Sequence, residues 1–407
     1  MILRRHLLGW AGTAVAALLL LVAILAWQSR QTAQRFTVYV PPKPVEGRLV
    51  FQQKDCGTCH GPNGAGGSDA PGLRAGGATV SSLPQLVTAM WNHAPRMWQA
   101  MEQQKLSYPN FTYEETARLL SYLYMSAYSD SGGDPDAGKK LFIEKRCIQC
   151  HSARDQSGAV APAVPHLGDT VTPLGWTQSL WNHASTMQTR MQRLGIEWPQ
   201  FQANELRDLY SYVRVASGHG DGEFPFPAAN PDNGWAVFQR HQCNQCHSLH
   251  AEDASSGPSL GADAKLPPTY ADFGAIMLNH YPRMRARMAE NGTAIPVFRD
   301  VEMYDLVAFL YSLHYLEPSG SPPMGESVFA GRGCSRCHGD RGEGTKLAPP
   351  LRGRGTTYTA TRLATHLWRH GNAMYRQSQQ LGQPWPLLKE SDVGDLLAFL
   401  NSPLEEH

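Results

Sequence analysis

The chain has 407 residues and a formal net charge of +1 at neutral pH. This length exceeds one ordinary hydrophobic core and predicts several domains. The near-zero net charge excludes the strongly basic composition typical of proteins that bind nucleic acid, so no nucleic-acid partner is expected. The 38 Gly and 29 Pro residues predict many turns and linkers.

The first predicted element is an N-terminal membrane helix. Arg4 and Arg5 precede an apolar run from Leu7 to Trp27, which is about long enough to cross a bilayer. The arginine pair favours a cytoplasmic N-terminus, which places the rest of the chain on the periplasmic side of the cytoplasmic membrane. A cleaved signal peptide is the alternative, but the run ends without the small-residue pattern of a cleavage site. We therefore expect residues 1–30 to form an uncleaved transmembrane anchor.

The rest of the chain is organised as four repeats of about ninety residues, a period typical of tandem domains. All eight cysteines lie in copies of the pattern Cys-x-x-Cys-His. A Gly stands nine residues before the first cysteine of each copy, and a Phe five residues before it. The cysteines are Cys56 and Cys59, Cys147 and Cys150, Cys243 and Cys246, and Cys334 and Cys337. The predicted domains are residues 43–130, 134–217, 229–317 and 321–407, called repeats 1 to 4 below.

Each repeat is predicted to open and close on a helix. The Gly and Phe before the cysteines suit a short amphipathic helix. Near the end of repeat 1, Leu119, Tyr122 and Leu123 share one helical face between residues 115 and 124, and the other repeats keep this pattern. The middle of each repeat is rich in Gly, Pro and Ser, which predicts a loop wrapped over a large prosthetic group. Linkers are predicted at residues 131–136, 218–233 and 317–323.

The five-residue motif predicts covalently attached haem. Two thiols spaced by two residues reach one porphyrin edge, and the next residue, the histidine, binds the iron. Zinc ribbons and a thioredoxin-like dithiol are the alternatives, but neither requires a histidine directly after every second cysteine. A disulfide framework would leave the four histidines unexplained. The predicted iron ligands on this side are His60, His151, His247 and His338.

In these features the chain resembles class I cytochromes c, repeated four times. The resemblance implies an all-α fold of four tandem class I cytochrome c-like domains after the N-terminal transmembrane helix, with four covalently attached haem c groups. It also implies that a proline carbonyl accepts a hydrogen bond from each ligand histidine. The alternative for these prolines is a turn role. The candidate prolines are Pro71, Pro162, Pro258 and Pro349.

The second iron ligand has two candidates in every repeat, because a His and a Met stand four residues apart and both residue types bind haem iron. The resemblance favours the methionines Met97, Met187, Met284 and Met374. The alternative is the histidine series His93, His183, His280 and His370. A later methionine is replaced by Ser378 in repeat 4, so it is not a shared ligand. Two residues before these histidines a tryptophan is expected to pack on the porphyrin, except in repeat 3, which has Leu278.

An iron with two protein ligands has no open site, so the expected function is electron transfer and not catalysis. The expected partners are redox proteins: a quinol-oxidising complex, a terminal oxidase, a reaction centre or a dehydrogenase. The resemblance also allows a cytochrome subunit of a membrane dehydrogenase or oxidase complex. A multihaem reductase or peroxidase with one open haem is an alternative, but all four repeats keep both the His and the Met. A docking subunit with vestigial haems is a further alternative, and the intact motifs in all four repeats argue against it.

Overall fold

Helices account for all the regular secondary structure in the part of the chain that the structure describes. The structure is a computed structural model. It describes residues 43–67, 70–73, 82–152, 161–167, 172–202, 204–220, 229–249, 256–262, 264–315, 319–353 and 355–404. These residues belong to one compact unit.

Every repeat contains the same three main helices. The opening helices precede the cysteine motifs and are Pro44–Gln53, Pro135–Glu144, Pro231–Arg240 and Pro322–Gly331. The central helices have 21 residues each and are Leu83–Gln103, Pro173–Arg193, Tyr270–Glu290 and Ala360–Gln380. The closing helices are Tyr113–Ser126, Glu205–Ala216, Glu302–Ser312 and Glu390–Asn401. Short turns of helix lie at or beside the motifs, at Gly57–His60, Cys147–Gln149, Cys243–Gln245 and Ser335–His338.

The central helices begin and end on shared local signals. A hydroxyl side chain accepts a hydrogen bond from the backbone N–H three residues later and caps each N-terminus; the caps are Ser82, Thr172, Thr269 and Thr359. Three of the helices end before a glycine with positive φ, and Lys105 takes that place in repeat 1 with φ of 57°. The backbone N–H of the residue after this position donates to a carbonyl in the last turn of the helix, which completes a Schellman motif. In repeat 1 this bond joins Leu106 N to Met101 O over 2.8 Å.

The Gly and Phe of each opening helix position it against the closing helix of the same repeat. A Cβ atom added to Gly234 would lie 1.9 Å from the carbonyl oxygen of Asp305, so only glycine allows the two backbones to come this close. The same contact occurs at Gly47, Gly138 and Gly325. Beside it, the ring of Phe238 lies 5.8 Å from that of Phe309, and the other three repeats have an equivalent aromatic pair. The predicted opening and closing helices are therefore confirmed.

The prediction of a loop in the middle of each repeat is confirmed only for the described part of the Gly- and Pro-rich segment after the motif, such as residues 70–73; a central helix follows that segment in every repeat and was not predicted. In repeat 1 this helix buries Val87, Trp91, Ala94 and Trp98, which are spaced by three or four residues along one face. Pro95 lies inside the helix and does not end it. The candidate methionines and histidines of the second-ligand series therefore all lie on helices.

The predicted transmembrane helix requires correction. No helix among the described residues is both long and apolar enough to cross a bilayer. The central helices have the length, but their outer faces carry charged and amide side chains. Residues 1–42, which include the apolar run, lie outside the described residues. The all-α prediction holds for the described part of the chain, but the membrane-spanning helix is not found there. The predicted location in the cytoplasmic membrane, with haem domains on the periplasmic side, depended on that helix and is corrected by the same finding.

The repeats pack out of sequence order. The central helix of repeat 1 lies against that of repeat 4, and the central helix of repeat 2 lies against that of repeat 3. A third contact joins the end of repeat 1 to repeat 3 through a tyrosine cluster. There Tyr124 donates a hydrogen bond of 3.0 Å to the carbonyl oxygen of Tyr311, and Tyr270 donates one of 2.7 Å to that of Met125. Tyr315 is fully buried against Tyr124.

Candidate functional site

The histidine of each cysteine motif is held by a proline carbonyl. The Nδ1–H group of His60 donates to Pro71 O over 3.1 Å, and a carbonyl can only accept, so this contact defines the ring tautomer. Repeats 2 to 4 have the same hydrogen bond at 2.9, 3.0 and 2.9 Å. The predicted role of the four prolines is confirmed. In each repeat Nε2 is left as the ring nitrogen that can bind a metal.

The two cysteines and the histidine of each motif share one turn of chain. In repeat 1 the backbone N–H of His60 donates to Cys56 O over 3.0 Å, and the other repeats have equivalent bonds. All eight thiols are free and half-buried. Burial raises the pKa of the first cysteine of each pair to about 11. A reactive dithiol requires the opposite shift, toward the thiolate, so the thioredoxin-like alternative does not fit. The described residues also contain no cluster of three or more metal-binding side chains of the type that holds zinc.

The four candidate methionines lie on the central helices and are half-buried. Met97 packs at the edge of an apolar cluster that includes Phe51 and Trp98, and Cys56 packs against the same cluster. The helix therefore brings this methionine into the core that also receives the first thiol of the motif. Which side chain binds each iron remains a prediction.

The candidate histidines differ between repeats. His93 is half-buried, and its ring centroid lies 6.4 Å from that of His60. Burial, then the neighbouring His60 and Arg96, lower the pKa of His93. His280 is exposed and donates from Nδ1 to the carbonyl oxygen of Ile276 in its own helix over 2.9 Å. His183 and His370 are also exposed, and the His370 ring stacks on His366 at 6.1 Å.

The tryptophans before these histidines link paired repeats. Trp91 of repeat 1 donates from Nε1 to Pro386 O of repeat 4 over 2.7 Å. In the opposite direction, Trp368 of repeat 4 donates from Nε1 to Pro109 O of repeat 1 over 2.8 Å. Trp181 donates to Pro296 O over 2.9 Å. These bonds define a haem-independent role for the tryptophans at the contact between repeats.

The next residue along the helix is a second link. The side-chain amide of Asn182 donates to Phe298 O over 2.7 Å and accepts from Phe298 N over 3.0 Å. Asn92 binds the backbone of Leu388 in the same way, at 2.8 and 2.9 Å. The same two-way bond joins Asn279 to Phe201. In repeat 4 the arginine at this position, Arg369, instead donates to the side chain of Asn110 over 3.0 Å. Sequence reasoning did not identify the role of this asparagine series at the contact between repeats.

Prolines inside two central helices free backbone carbonyls that accept hydrogen bonds from the paired repeat. Pro95 has no N–H, so the carbonyl of Trp91 loses its helical partner, and Trp385 of repeat 4 donates to it over 3.4 Å. In repeat 3, Pro282 frees the carbonyl of Leu278, which accepts from Trp198 of repeat 2 over 2.9 Å. Each pair thus combines one helix that contains a proline with one partner that supplies a tryptophan.

These residues fit haem c. Each motif presents two free thiols and a histidine of fixed tautomer on one turn, and the central helix of the same repeat carries half-buried candidates for the second ligand. Bound haem iron supplies one-electron redox chemistry. The proline carbonyl would hold the histidine ring of each motif in place, and apolar side chains of the repeat would line the group.

Comparison with known proteins agrees with this assignment. The family model described as Cytochrome c matches residues 44–125, 135–217 and 324–403, which together exceed half of the chain. The model described as Cytochrome C oxidase, cbb3-type, subunit III matches residues 229–310. No curated protein and no solved structure matches the chain.

Proposed function

The chain belongs to the cytochrome c family, and from this membership we propose that it is an electron carrier with four covalently bound haem c groups. The observation that supports four groups is the histidine–proline bond, which has the same geometry in all four repeats. Each iron has two protein ligands, so electrons pass by outer-sphere transfer and no substrate binds at iron. The expected partners are redox proteins that donate or accept single electrons.

The number of haems is tested by intact mass of the purified, haem-loaded chain. Four haem additions are expected, and three or fewer would contradict the proposal. A variant with Cys243→Ser and Cys246→Ser should lose one haem and keep the other three. The reduced native protein should bind no carbon monoxide, because no iron has an open position. Carbon monoxide binding at one native haem would favour a multihaem reductase or peroxidase instead.

We also propose that electrons move through the repeats in the order 4–1–3–2. The support is the packing of the described residues, in which repeat 4 contacts repeat 1, repeat 1 contacts repeat 3 and repeat 3 contacts repeat 2. Aromatic rings fill each contact. Trp98 lies 6.0 Å from Trp368 between repeats 1 and 4, and Trp181 lies 5.1 Å from Tyr281 between repeats 2 and 3.

The order is tested by deleting one haem at a time through cysteine-to-serine pairs and following the redistribution of electrons after a reducing pulse. Loss of the haem of repeat 1 should isolate repeat 4 from repeats 3 and 2, and should slow equilibration. Loss of the haem of repeat 2, at the end of the series, should leave the other three in fast exchange. If instead electrons follow the sequence order, loss of the repeat 2 haem would isolate repeat 1.

A second candidate role is a cytochrome subunit of a larger oxidoreductase. It is favoured by the match of repeat 3 to the model described as subunit III of a cbb3-type oxidase. The same electron transfer would then serve a fixed partner. Mild purification from the native source, followed by mass measurement under native conditions, separates the two: a carrier runs alone and a subunit runs with other chains.

A further inference from the structure

We propose that the iron of repeat 1 is bound by two histidines, His60 and His93, whereas repeats 3 and 4 use methionine as the second ligand. This inference rests on the proposed haem content and assigns a ligand set within it. The resemblance to class I cytochromes c implies Met97 at this place. The structure indicates a different ligand, and it does so in one repeat.

The spacing of the two rings in repeat 1 suits an iron atom between them. An imidazole nitrogen binds a first-row metal at about 2 Å, and each ring centre lies about 1 Å behind its nitrogen, so two axial imidazoles have centroids about 6 Å apart. The centroids of His60 and His93 are 6.4 Å apart. Because Nδ1 of His60 is bonded to Pro71 O, its metal-binding nitrogen is Nε2.

Repeats 3 and 4 have the same His and Met spacing but a different arrangement. His280 is exposed, whereas the corresponding His93 of repeat 1 is half-buried. His370 is exposed and stacked on His366. The corresponding methionines, Met284 and Met374, are half-buried and remain as the second ligands.

The surroundings of Met97 explain why repeat 1 differs. Met97 packs against the apolar cluster that contains Trp98 and Trp368, at the contact with repeat 4. A thioether is a favourable partner for aromatic rings, so this side chain has a packing role there. The helix position one turn earlier, that of His93, is then the one that faces His60.

The consequence is a haem of lower reduction potential in repeat 1, because a methionine ligand raises the potential relative to a second histidine. In a redox titration of the full chain, one haem should be the last to be reduced. Loss of the repeat 1 haem through Cys56→Ser and Cys59→Ser should remove this component and leave the others.

The ligand set is tested on the oxidised, haem-loaded full chain by electron paramagnetic resonance and near-infrared magnetic circular dichroism, which distinguish bis-histidine from histidine–methionine iron. At least one bis-histidine haem is expected beside histidine–methionine haems. Four histidine–methionine haems would overturn the inference without affecting the proposed function. Fewer than four haems by mass would instead contradict the proposed function.

Matched variants identify the residues. His93→Ala should remove the bis-histidine signal and create one iron that binds carbon monoxide, whereas His280→Ala should change no signal. Met97→Leu should keep every ligand, whereas Met284→Leu should remove one histidine–methionine signal. If His93→Ala fails to fold, His93→Met serves instead, and it should convert the signal to histidine–methionine with a raised potential. A loss of a methionine signal in Met97→Leu would overturn the assignment.

Discussion

Asp130 lies at the contact between repeats 1 and 3 and carries a carboxylate that is costly to bury. Its side chain is 4% exposed and accepts a hydrogen bond of 3.1 Å from the backbone N–H of Ala271. Burial raises the pKa of Asp130 from 3.8 to about 6; Asp272 adds to this shift, whereas Arg207 opposes it. The charged form is therefore disfavoured in the folded protein.

The pH dependence follows from this shift. Between about pH 4 and pH 6 the folded state holds the Asp130 proton more often than the unfolded state does, so this residue makes stability fall as pH rises through that window. A shift of about two pKa units corresponds to a change of about 3 kcal/mol in the free energy of unfolding. The folded protein has lost this full amount of stability once the pH is above 6.

Asp130→Asn should recover much of this loss, because it keeps an oxygen that accepts from Ala271 N–H and removes the buried charge. We expect the variant to gain up to about 3 kcal/mol at pH 7 and little at pH 4. The measurement is denaturant unfolding of the haem-loaded full chain at several pH values. Asp340→Asn, at an exposed carboxylate, is the matched control and should show no such pH-dependent gain. A variant that gains nothing at pH 7, or equally at every pH, would refute the reasoning.

Three further variants test the packing of the repeats by unfolding of the full chain. Asn182→Ala leaves the buried N–H and C=O groups of Phe298 without partners and should lower the free energy of unfolding by about 2–4 kcal/mol. If the substitution changed only helix propensity, the effect would be less than about 1 kcal/mol. Gly325→Ala places a Cβ atom 1.9 Å from Asp395 O and should cost about 1–3 kcal/mol, although alanine ordinarily favours a helix; a gain in stability would contradict the close approach. Arg352→Lys loses a planar donor that binds two carbonyls near the C-terminus, those of Ser402 and Pro403, so faster proteolysis of that end is expected, and an unchanged cleavage rate would contradict this role.

The histidine–proline bonds of the motifs were predicted from the sequence, whereas the central helices were not. The motif and its prolines were readable because their spacing is local and repeats four times. The central helix was missed because the Gly, Pro and Ser content of the middle of each repeat predicted a loop, although the capping hydroxyls at Ser82 and the equivalent threonines mark where the helix begins. The pairing of repeats could not be predicted from any single helix. The carbonyl that Pro95 leaves without a helical partner accepts a hydrogen bond from a tryptophan in repeat 4, far away in the sequence. The approach of His93 to His60 likewise joins two different segments of repeat 1, so its distance required the tertiary structure.

The pairing of the first repeat with the last has a consequence for how the chain folds. Trp91 and Pro386, which are hydrogen-bonded, are 295 residues apart, whereas Trp181 and Pro296 are 115 apart. Contacts between distant residues form slowly, because a long loop must close before they contribute. Repeats 2 and 3 can therefore pair during synthesis, while repeat 1 exposes its tryptophan-rich face until repeat 4 has been made. A chain that stops after repeat 3 would keep that face uncovered and should aggregate more readily than the full chain, in which repeat 4 covers it.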